Sequence, residues 1–229
     1  MNKPDRIKVL PAYSLVDASR LLGLSESTLR RWFRGYKYTS NSVKKTVRPI
    51  LPTLSESGEQ ISFIDLVEAH VFSLLRRQFR IPRQKIKAAA ETLSEIKGSL
   101  ISLAHRDFYV ETQNKQLLIQ LEEGLMSLSE RGQFVDKGIV SSGLEQLQYG
   151  DDGYASEFFP RIGNVEQREI VVSPSINFGR ICIHRSGVSA EIIAARFKAG
   201  DSFADLIEDF KATTDEIEGA IRWHGRLAA

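Results

Sequence analysis

The sequence predicts an α+β fold, mainly α, built as an N-terminal winged helix-turn-helix, a small central β-sheet region and a C-terminal β-hairpin plus three-helix module. Three observations lead there. Residues 13–34 set out a cap, an apolar stripe, a turn glycine and a second capped apolar stripe in helix-turn-helix order. Between 108 and 159 apolar residues alternate loosely around turn signals, as short strands do. Beyond 188 helical spacing returns in three stretches, each behind a Ser or Thr. We therefore expect a DNA-binding head at 1–98, a small β-rich region at 99–162 and an acidic, partner-binding helical domain at 163–229.

In YSLVDASRLLGLSESTLRRWFR, with Gly23 as the turn glycine, Ala18, Leu22, Leu24, Leu29 and Trp32 fall on the inward faces of two short crossing helices. Ser14 caps the first, and Ser25 caps the second by accepting a bond from an amide that the first turn leaves unpaired. Ser25, Glu26, Ser27, Arg30, Arg31 and Arg34 then point outward. An ordinary helical hairpin with solvated arginines is the alternative. The next tract weighs against it, because Tyr36, Lys37, Tyr38, Lys44, Lys45 and Arg48, between Gly35 and Pro49, are too polar for a core element. They read as a basic wing that reaches phosphates or a minor groove. The candidate DNA contacts are Ser25, Ser27, Thr28, Arg30, Arg31, Arg34, Lys37, Lys44, Lys45 and Arg48.

Ser62 with Asp65 makes a capping-box start for a helix whose apolar positions are Phe63, Leu66, Val67, Val71, Leu74 and Leu75. His70 beside that stripe reads as packed, since no second His, Cys or carboxylate is spaced to share a metal with it. Arg76, Arg77, Arg80, Arg83, Lys85 and Lys87 crowd the turn at Pro82, either lengthening the phosphate footprint or ending a solvated helix. A further helix runs from Ile86 to about Gly98.

Phe108–Thr112 and Gln116–Leu121 suggest a hairpin around Gln113 and Asn114, and Gly124–Leu128 a third strand. Leu144–Tyr149 and Tyr154–Phe159 flank Asp151-Asp152-Gly153, which reads as a turn rather than as paired catalytic acids. Residues 161–169 form a polar linker, and strands at 170–172 and 180–183 flank Ser173-Pro174-Ser175. In the closing helices Ser189 caps Ile192, Ile193 and Phe197 before Gly200. Ser202 caps Phe203, Leu206, Ile207 and Phe210, and Thr213 or Thr214 caps Ile217, Ala220, Ile221 and Trp223.

A chain of 229 residues with 42% hydrophobic content can bury a core in two or three small domains. No apolar run approaches the roughly 18 residues that span a bilayer, and MNKPDRIKV lacks the apolar core of a signal peptide. The lone Cys182 builds neither a disulfide nor a thiolate metal site, so we expect a cytoplasmic protein without metal or cofactor.

The net charge of +2 hides an asymmetry: residues 1–93 hold 17 Lys+Arg against 8 Asp+Glu, and residues 94–229 hold 14 against 21. The first part is drawn to a polyanion and the second is repelled by one. The last two helices are again shaped like a helix-turn-helix. With 5 Lys+Arg against 8 Asp+Glu over 186–229, however, that scaffold suits a protein partner better than phosphates.

YSLVDASRLLGLSESTLRRW resembles the opening of a MerR-type winged helix, and ISFIDLVEAHVFSLLRR with IPRQKIKAAAETL continues in the manner of MerR-like domains in VapB-type antitoxins. The stretch from VVSPSINFGRICIHRSGVSAEIIAARF through KAGDSFADLIEDFKATTDEIEGAIRW is similar to the domain-of-unknown-function family four-three-three. Its match rests on Gly179-Arg180, the Val188-Ser189 helix entry, residues 199–202 and the cap at 214–217. Ile181 stands where that family commonly has proline, and Arg185-Ser186-Gly187 replaces its usual Gly-Thr-Arg.

The resemblance implies a type II antitoxin that binds operator DNA as a homodimer or higher hetero-oligomer, autoregulates its operon and neutralises a PIN-like ribonuclease toxin. Arg180 or Arg185 would approach the acidic metal site of such a toxin. The alternative is a stand-alone MerR-like regulator that senses a small molecule. An enzyme is not expected: there is no Gly-x-x-x-x-Gly-Lys loop and no paired-histidine motif, and Cys182 lies between Ile181 and Ile183 as a small packed side chain would.

Overall fold

The computed structural model describes residues 3–51, 53, 59–77, 80–82, 84–86, 88–89, 103–111, 116–121, 124–127, 133–134, 145–161 and 168–227. Helices with small sheets make it α+β, with a helix-turn-helix near the N-terminus and helices at the C-terminus. Its contacts divide the chain into two compact units, residues 1–145 with 149–155 and residues 146–148 with 156–229. The central strands at 108–134 fall in the first of these units.

Among the described residues the first unit carries helices α1 (Arg6–Val9), α2 (Leu15–Leu22), α3 (Glu26–Arg34) and α4 (Phe63–Arg77). Tyr13, Leu15, Ala18, Leu24, Leu29 and Phe33 are buried, as are Phe63, Leu66, Val67, Val71 and Leu75 of α4. The second inward residue of α3 is Phe33, four positions after Leu29 and fully on its stripe, whereas Trp32 and Leu22 are only half-buried. Trp32 still packs edge-on against Phe72 with ring centroids 4.7 Å apart, and its carbonyl accepts the amides of Ile50 at 2.8 Å and Leu51 at 3.1 Å.

Short strands β1 (Tyr13–Ser14) and β4 (Gln60–Ile61) pair antiparallel and tie the entry of α2 to that of α4. The expected capping box is present: the Ser62 amide donates to Asp65 Oδ2 at 2.8 Å, and the Asp65 amide donates to Ser62 Oγ at 3.1 Å. Burial raises the Asp65 carboxyl above its ordinary value, against the lowering effect of hydrogen bonds from the Ser62 amide, the Ser62 hydroxyl and the Thr53 hydroxyl. His70 is buried in α4, as its place on the stripe suggests.

The N-terminal segment is fastened by a buried cation. Lys8 of α1 is 6% exposed, and its ammonium donates to Asp152 at 2.7 and 2.8 Å and to the Tyr154 carbonyl at 3.3 Å. The Asp5 amide donates to Asp152 as well, at 2.9 Å. Although burial pushes the Asp152 carboxyl up, the Lys8 ammonium and the Asp5 and Tyr154 amides hold it below its usual range. Asp152 therefore does more than turn the chain; it fastens α1. Beside it Gly153, at φ 86°, has no alternative residue, because a Cβ there would lie 2.3 Å from Nε2 of the buried His105.

Strands β5 (Phe108–Glu111), β6 (Gln116–Leu121), β7 (Gly124–Ser127) and β8 (Gln133–Phe134) form an antiparallel meander in sequence order. The first three were expected; β8, two residues long, carries too little alternation to be read. The expected turn at Gln113-Asn114 lies outside the described residues, as do Arg83, Lys87 and residues 90–98 of the expected helix. Residues 84–86 and 88–89 are helical. Strands β9 (Leu147–Tyr149) and β10 (Ala155–Phe158) pair as a hairpin through which the chain passes between the two units.

The second unit opens with β11 (Ile170–Val171) paired to β12 (Cys182–Ile183). Most of the expected linker, residues 162–167, lies outside the described residues. Helices α5 (Ala190–Ala199), α6 (Phe203–Phe210) and α7 (Thr214–Leu227) follow. Ile170, Ile183, Ile193, Leu206, Ile217 and Ala220 make the core, and Trp223 is completely buried. The caps are those expected: Ser189 accepts from the Glu191 amide, and Ser202 forms a reciprocal box with Asp205. Of the two threonines offered for α7, Thr213 accepts from the Glu216 amide at 3.2 Å while Glu216 accepts from the Thr213 amide at 2.7 Å. Cys182 is buried, and burial pushes its thiol up to about 11, which keeps it protonated and unreactive. Among the described residues no helix is long and apolar enough to cross a membrane.

Candidate nucleic-acid interface

The corner between α2 and α3 is made by local bonds that the sequence dictates. Ser14 Oγ accepts the Asp17 amide at 3.1 Å, starting α2. Gly23 ends it in the left-handed region, at φ 61° and ψ 35°, and the Leu24 amide then donates to the Ser19 carbonyl at 3.0 Å. Ser25 Oγ accepts the Thr28 amide at 3.2 Å and lies 3.1 Å from Ser27 Oγ and 2.8 Å from Thr28 Oγ1. The three hydroxyls thus form one cluster at the N-terminus of α3, with Ser25 and Ser27 exposed.

Beyond α3 the chain must fold back sharply. Gly35, at φ 70°, allows it, since a Cβ there would lie 2.1 Å from the Val47 carbonyl oxygen. Strands β2 (Tyr36–Ser40) and β3 (Val43–Val47) follow, with Tyr36 opposite Val47, Tyr38 opposite Lys45 and Thr39 opposite Lys44. Asn41 and Ser42, at φ 51° and 61°, supply the two left-handed residues that a tight hairpin of matching twist requires. The tract read as a wing is therefore a regular, exposed β-hairpin.

Cross-strand partners share a face, so Tyr36, Tyr38, Val43, Lys45 and Val47 lie on one side and Lys37, Thr39, Lys44 and Thr46 on the other. Lys44 and Lys45, alike in the sequence, are separated. The candidate contact set leaves out Tyr36 and Tyr38 of the wing, which are 40% and 44% exposed. The Arg31 guanidinium stands 5.6 Å from the centre of the Tyr36 ring, joining α3 to that face of the hairpin. The alternation of Tyr-Lys-Tyr-Thr was the signal for it.

The arginines of α3 differ in their freedom. Arg30 pairs with Glu26 one turn back. Arg34 is about half-buried and lies 3.8 Å from Glu59. Arg31, Lys37, Lys44, Lys45 and Arg48 are all exposed, and none makes an ion pair among the described residues. Of the remaining group, Arg76 turns inward to the Ile81 carbonyl at 2.9 Å and closes the turn after α4.

In the second unit three arginines are paired within the fold. Arg185 donates to both carboxylate oxygens of Glu216, at 3.1 and 2.9 Å, and to the Lys211 carbonyl at 2.6 Å. That pairing, against the opposing effect of burial, holds the Glu216 carboxyl below its ordinary range. Arg196 bridges Asp201 and Asp209, and Arg222 pairs with Glu218. Arg180 is different: it is exposed, and among the described residues its side chain makes no hydrogen bond or ion pair. Among those residues no group of three or more His, Cys, Asp and Glu could hold a metal ion.

Residues 11–90 match the family described as "Putative DNA-binding HTH domain", and residues 170–223 match "Protein of unknown function (DUF433)". The chain is 28% identical to the "Putative antitoxin VapB45" of Mycobacterium tuberculosis over 93% of each chain. Over nearly its whole length it is similar to a protein named as a putative VapB antitoxin. It is also 24% identical to the "Uncharacterized protein Rv2308" of the same organism, over 91% of this chain and 88% of that one. In fold it resembles the crystal structure of Rv2018 from Mycobacterium tuberculosis, with a TM-score of 0.62, 22% identity and coverage of 93% and 98%. The two matched families bracket the basic helix-turn-helix and the acidic helices, with the wing hairpin inside the first.

Proposed function

We propose that this chain is the DNA-binding antitoxin of a type II toxin-antitoxin module, cytoplasmic and not itself an enzyme. Its first unit seats α3 in the major groove of operator DNA, and the chain binds as a symmetric dimer because one helix reads too few bases for useful specificity. Its second unit holds a PIN-like ribonuclease toxin, and operator binding by the pair regulates their operon. The observation that carries this reading is the distribution of cations: five exposed ones without an ion pair among the described residues run along α3 and the adjoining hairpin, while in the second unit Arg185, Arg196 and Arg222 are each paired with a carboxylate of the same unit. Similarity to a putative antitoxin over nearly the whole chain supports it.

Arg31 leads the base-reading set, since its exposed guanidinium already lies along the hairpin. Arg30 must exchange Glu26 for DNA, and Ser25, Ser27 and Thr28 present hydroxyls to phosphate at a helix N-terminus. Lys37, Lys44, Lys45 and Arg48 supply phosphate contacts. Arg185, already held by Glu216, would have to leave that carboxylate to enter a toxin site, which leaves Arg180 as the stronger of the two.

Co-expression with the adjacent open reading frame tests the whole proposal. The neighbour alone should stop growth, and the pair should restore it and co-purify. A neighbour that is harmless, or that does not bind this chain, would refute the antitoxin reading.

A further inference from the structure

The turn between β11 and β12 holds an arrangement that folding does not require. Ser173 anchors its start, with its hydroxyl donating to the Ser156 carbonyl at 2.8 Å and its carbonyl accepting the Ile176 amide at 3.1 Å. Ile176 packs on the small core of Phe159, Val171 and Cys182. Amides of Gly179 and Arg180 then close successive turns onto the carbonyls of Ile176 and Asn177, at 3.1 and 3.0 Å. Between these anchors Asn177, Phe178 and Gly179 are all left-handed, at φ 48°, 55° and 80°.

Asn and Gly are ordinary in that region; a bulky aromatic is not. Phe178 nevertheless stands there 89% exposed, more than any other large apolar side chain among the described residues. It makes no ring contact among those residues, so neither packing nor turn geometry explains it. An asparagine or glycine would build the same turn with less strain and no solvated phenyl ring. A strained, exposed aromatic held by rigid neighbours is what a binding anchor needs, because its position is set before the partner arrives.

Two residues on, Arg180 is exposed and its side chain makes no hydrogen bond or ion pair among the described residues, in contrast to Arg185, Arg196 and Arg222. We infer that Phe178 and Arg180 form a preorganised protein-docking knob, whose partner offers an apolar pocket for the phenyl ring with carboxylates at its rim for the guanidinium. This deepens the antitoxin reading and rests on it: the partner is the toxin, and the knob is the principal contact. A nucleic acid is disfavoured as occupant, since acidic groups outnumber basic ones from residue 94 onward.

The test uses the full chain, tagged and co-expressed with the protein encoded beside it, and compares wild type with Phe178→Asn, Arg180→Ala and Lys198→Ala. Phe178→Asn should melt at or above the wild-type temperature, because the strain is relieved, yet bind the neighbour at least tenfold more weakly. Arg180→Ala should weaken binding, and the exposed Lys198→Ala should not. Phe178→Asn that holds the neighbour as tightly as wild type overturns the knob while leaving the antitoxin reading intact. Phe178→Asn that melts well below wild type would show the ring to be structural and also overturn it. Wild type that fails to bind the neighbour removes both, and a change in the size of the chain alone, with neighbour binding intact, would assign the knob to a second copy instead.

Discussion

The molecule contains the same helical corner twice, and the two copies are finished differently. In the head, Gly23 takes the left-handed position that ends α2 and Ser25 caps α3; in the tail, Lys211 takes it at the end of α6 and Thr213 caps α7. Behind the caps the resemblance ends. The exposed face of α3 carries Arg30 and Arg31 and continues into a cationic hairpin, whereas the first turn of α7 carries Asp215 and Glu216, the latter held by Arg185. Backbone geometry makes a helix-turn-helix. Surface charge, and whether it is already satisfied internally, decides what that corner can meet.

The strongest way to break the comparison is to collapse one corner and leave the other. Leu29→Ala and Trp223→Ala each empty a fully buried site, at a cost of about 2–5 and 3–5 kcal/mol respectively. Calorimetry should show both losses. Below the melting range, the first should cost DNA binding while the neighbour still binds, and the second should do the reverse. Equal loss of both functions from either substitution would mean that the corners do not have separate tasks.

A smaller effect sharpens the electrostatic half. Glu216 has a folded pKa below its ordinary 4.5, so the Arg185 pair stabilises the fold fully above that value and ceases to as pH falls through the lowered one. Thermal melting from pH 7 to pH 3 should show this acid loss, and Glu216→Gln should flatten it while lowering stability at pH 7. An unchanged profile would mean that the pair contributes nothing.

The finest test separates neighbouring lysines. Lys45 shares its face with Tyr36, Tyr38 and, through Tyr36, Arg31, and Lys44 does not. If that face meets DNA, Lys45→Ala should reduce the salt dependence of operator binding by about one unit of slope, with Lys44→Ala changing it less. Equal changes would place both lysines at phosphates.

Much of this was legible because it is local. Caps at Ser14, Ser25, Ser62, Ser189 and Ser202 and the turn at Gly23 are each set by residues within a few positions, and all stand where the sequence puts them. Long-range pairing was not legible. Nothing in MNKPDRIKV announces that Lys8 will be buried against Asp152, 144 positions later, nor does RSG reveal that Arg185 will be occupied by Glu216. Trp32 and Phe33 show a third limit: two adjacent large apolar residues both satisfy a coarse stripe, and only packing around Leu29 chooses Phe33 as the fully buried one. The hairpin faces follow from register, which the Asn41-Ser42 turn sets and which charge counting ignores.

The most direct test of the division of charge is a salt-dependent anisotropy titration of the full chain on the DNA upstream of its own gene. It compares two variants that each lose two positive charges, Arg30→Ala with Arg31→Ala in the head and Lys198→Ala with Arg222→Ala in the tail. The head variant should bind at least tenfold more weakly, as expected for lost arginine contacts of about 1–3 kcal/mol each, and the tail variant should match wild type. Equal binding by the head variant, or an equal loss from the tail variant, would contradict the assignment of the DNA-reading surface to α3 and its hairpin.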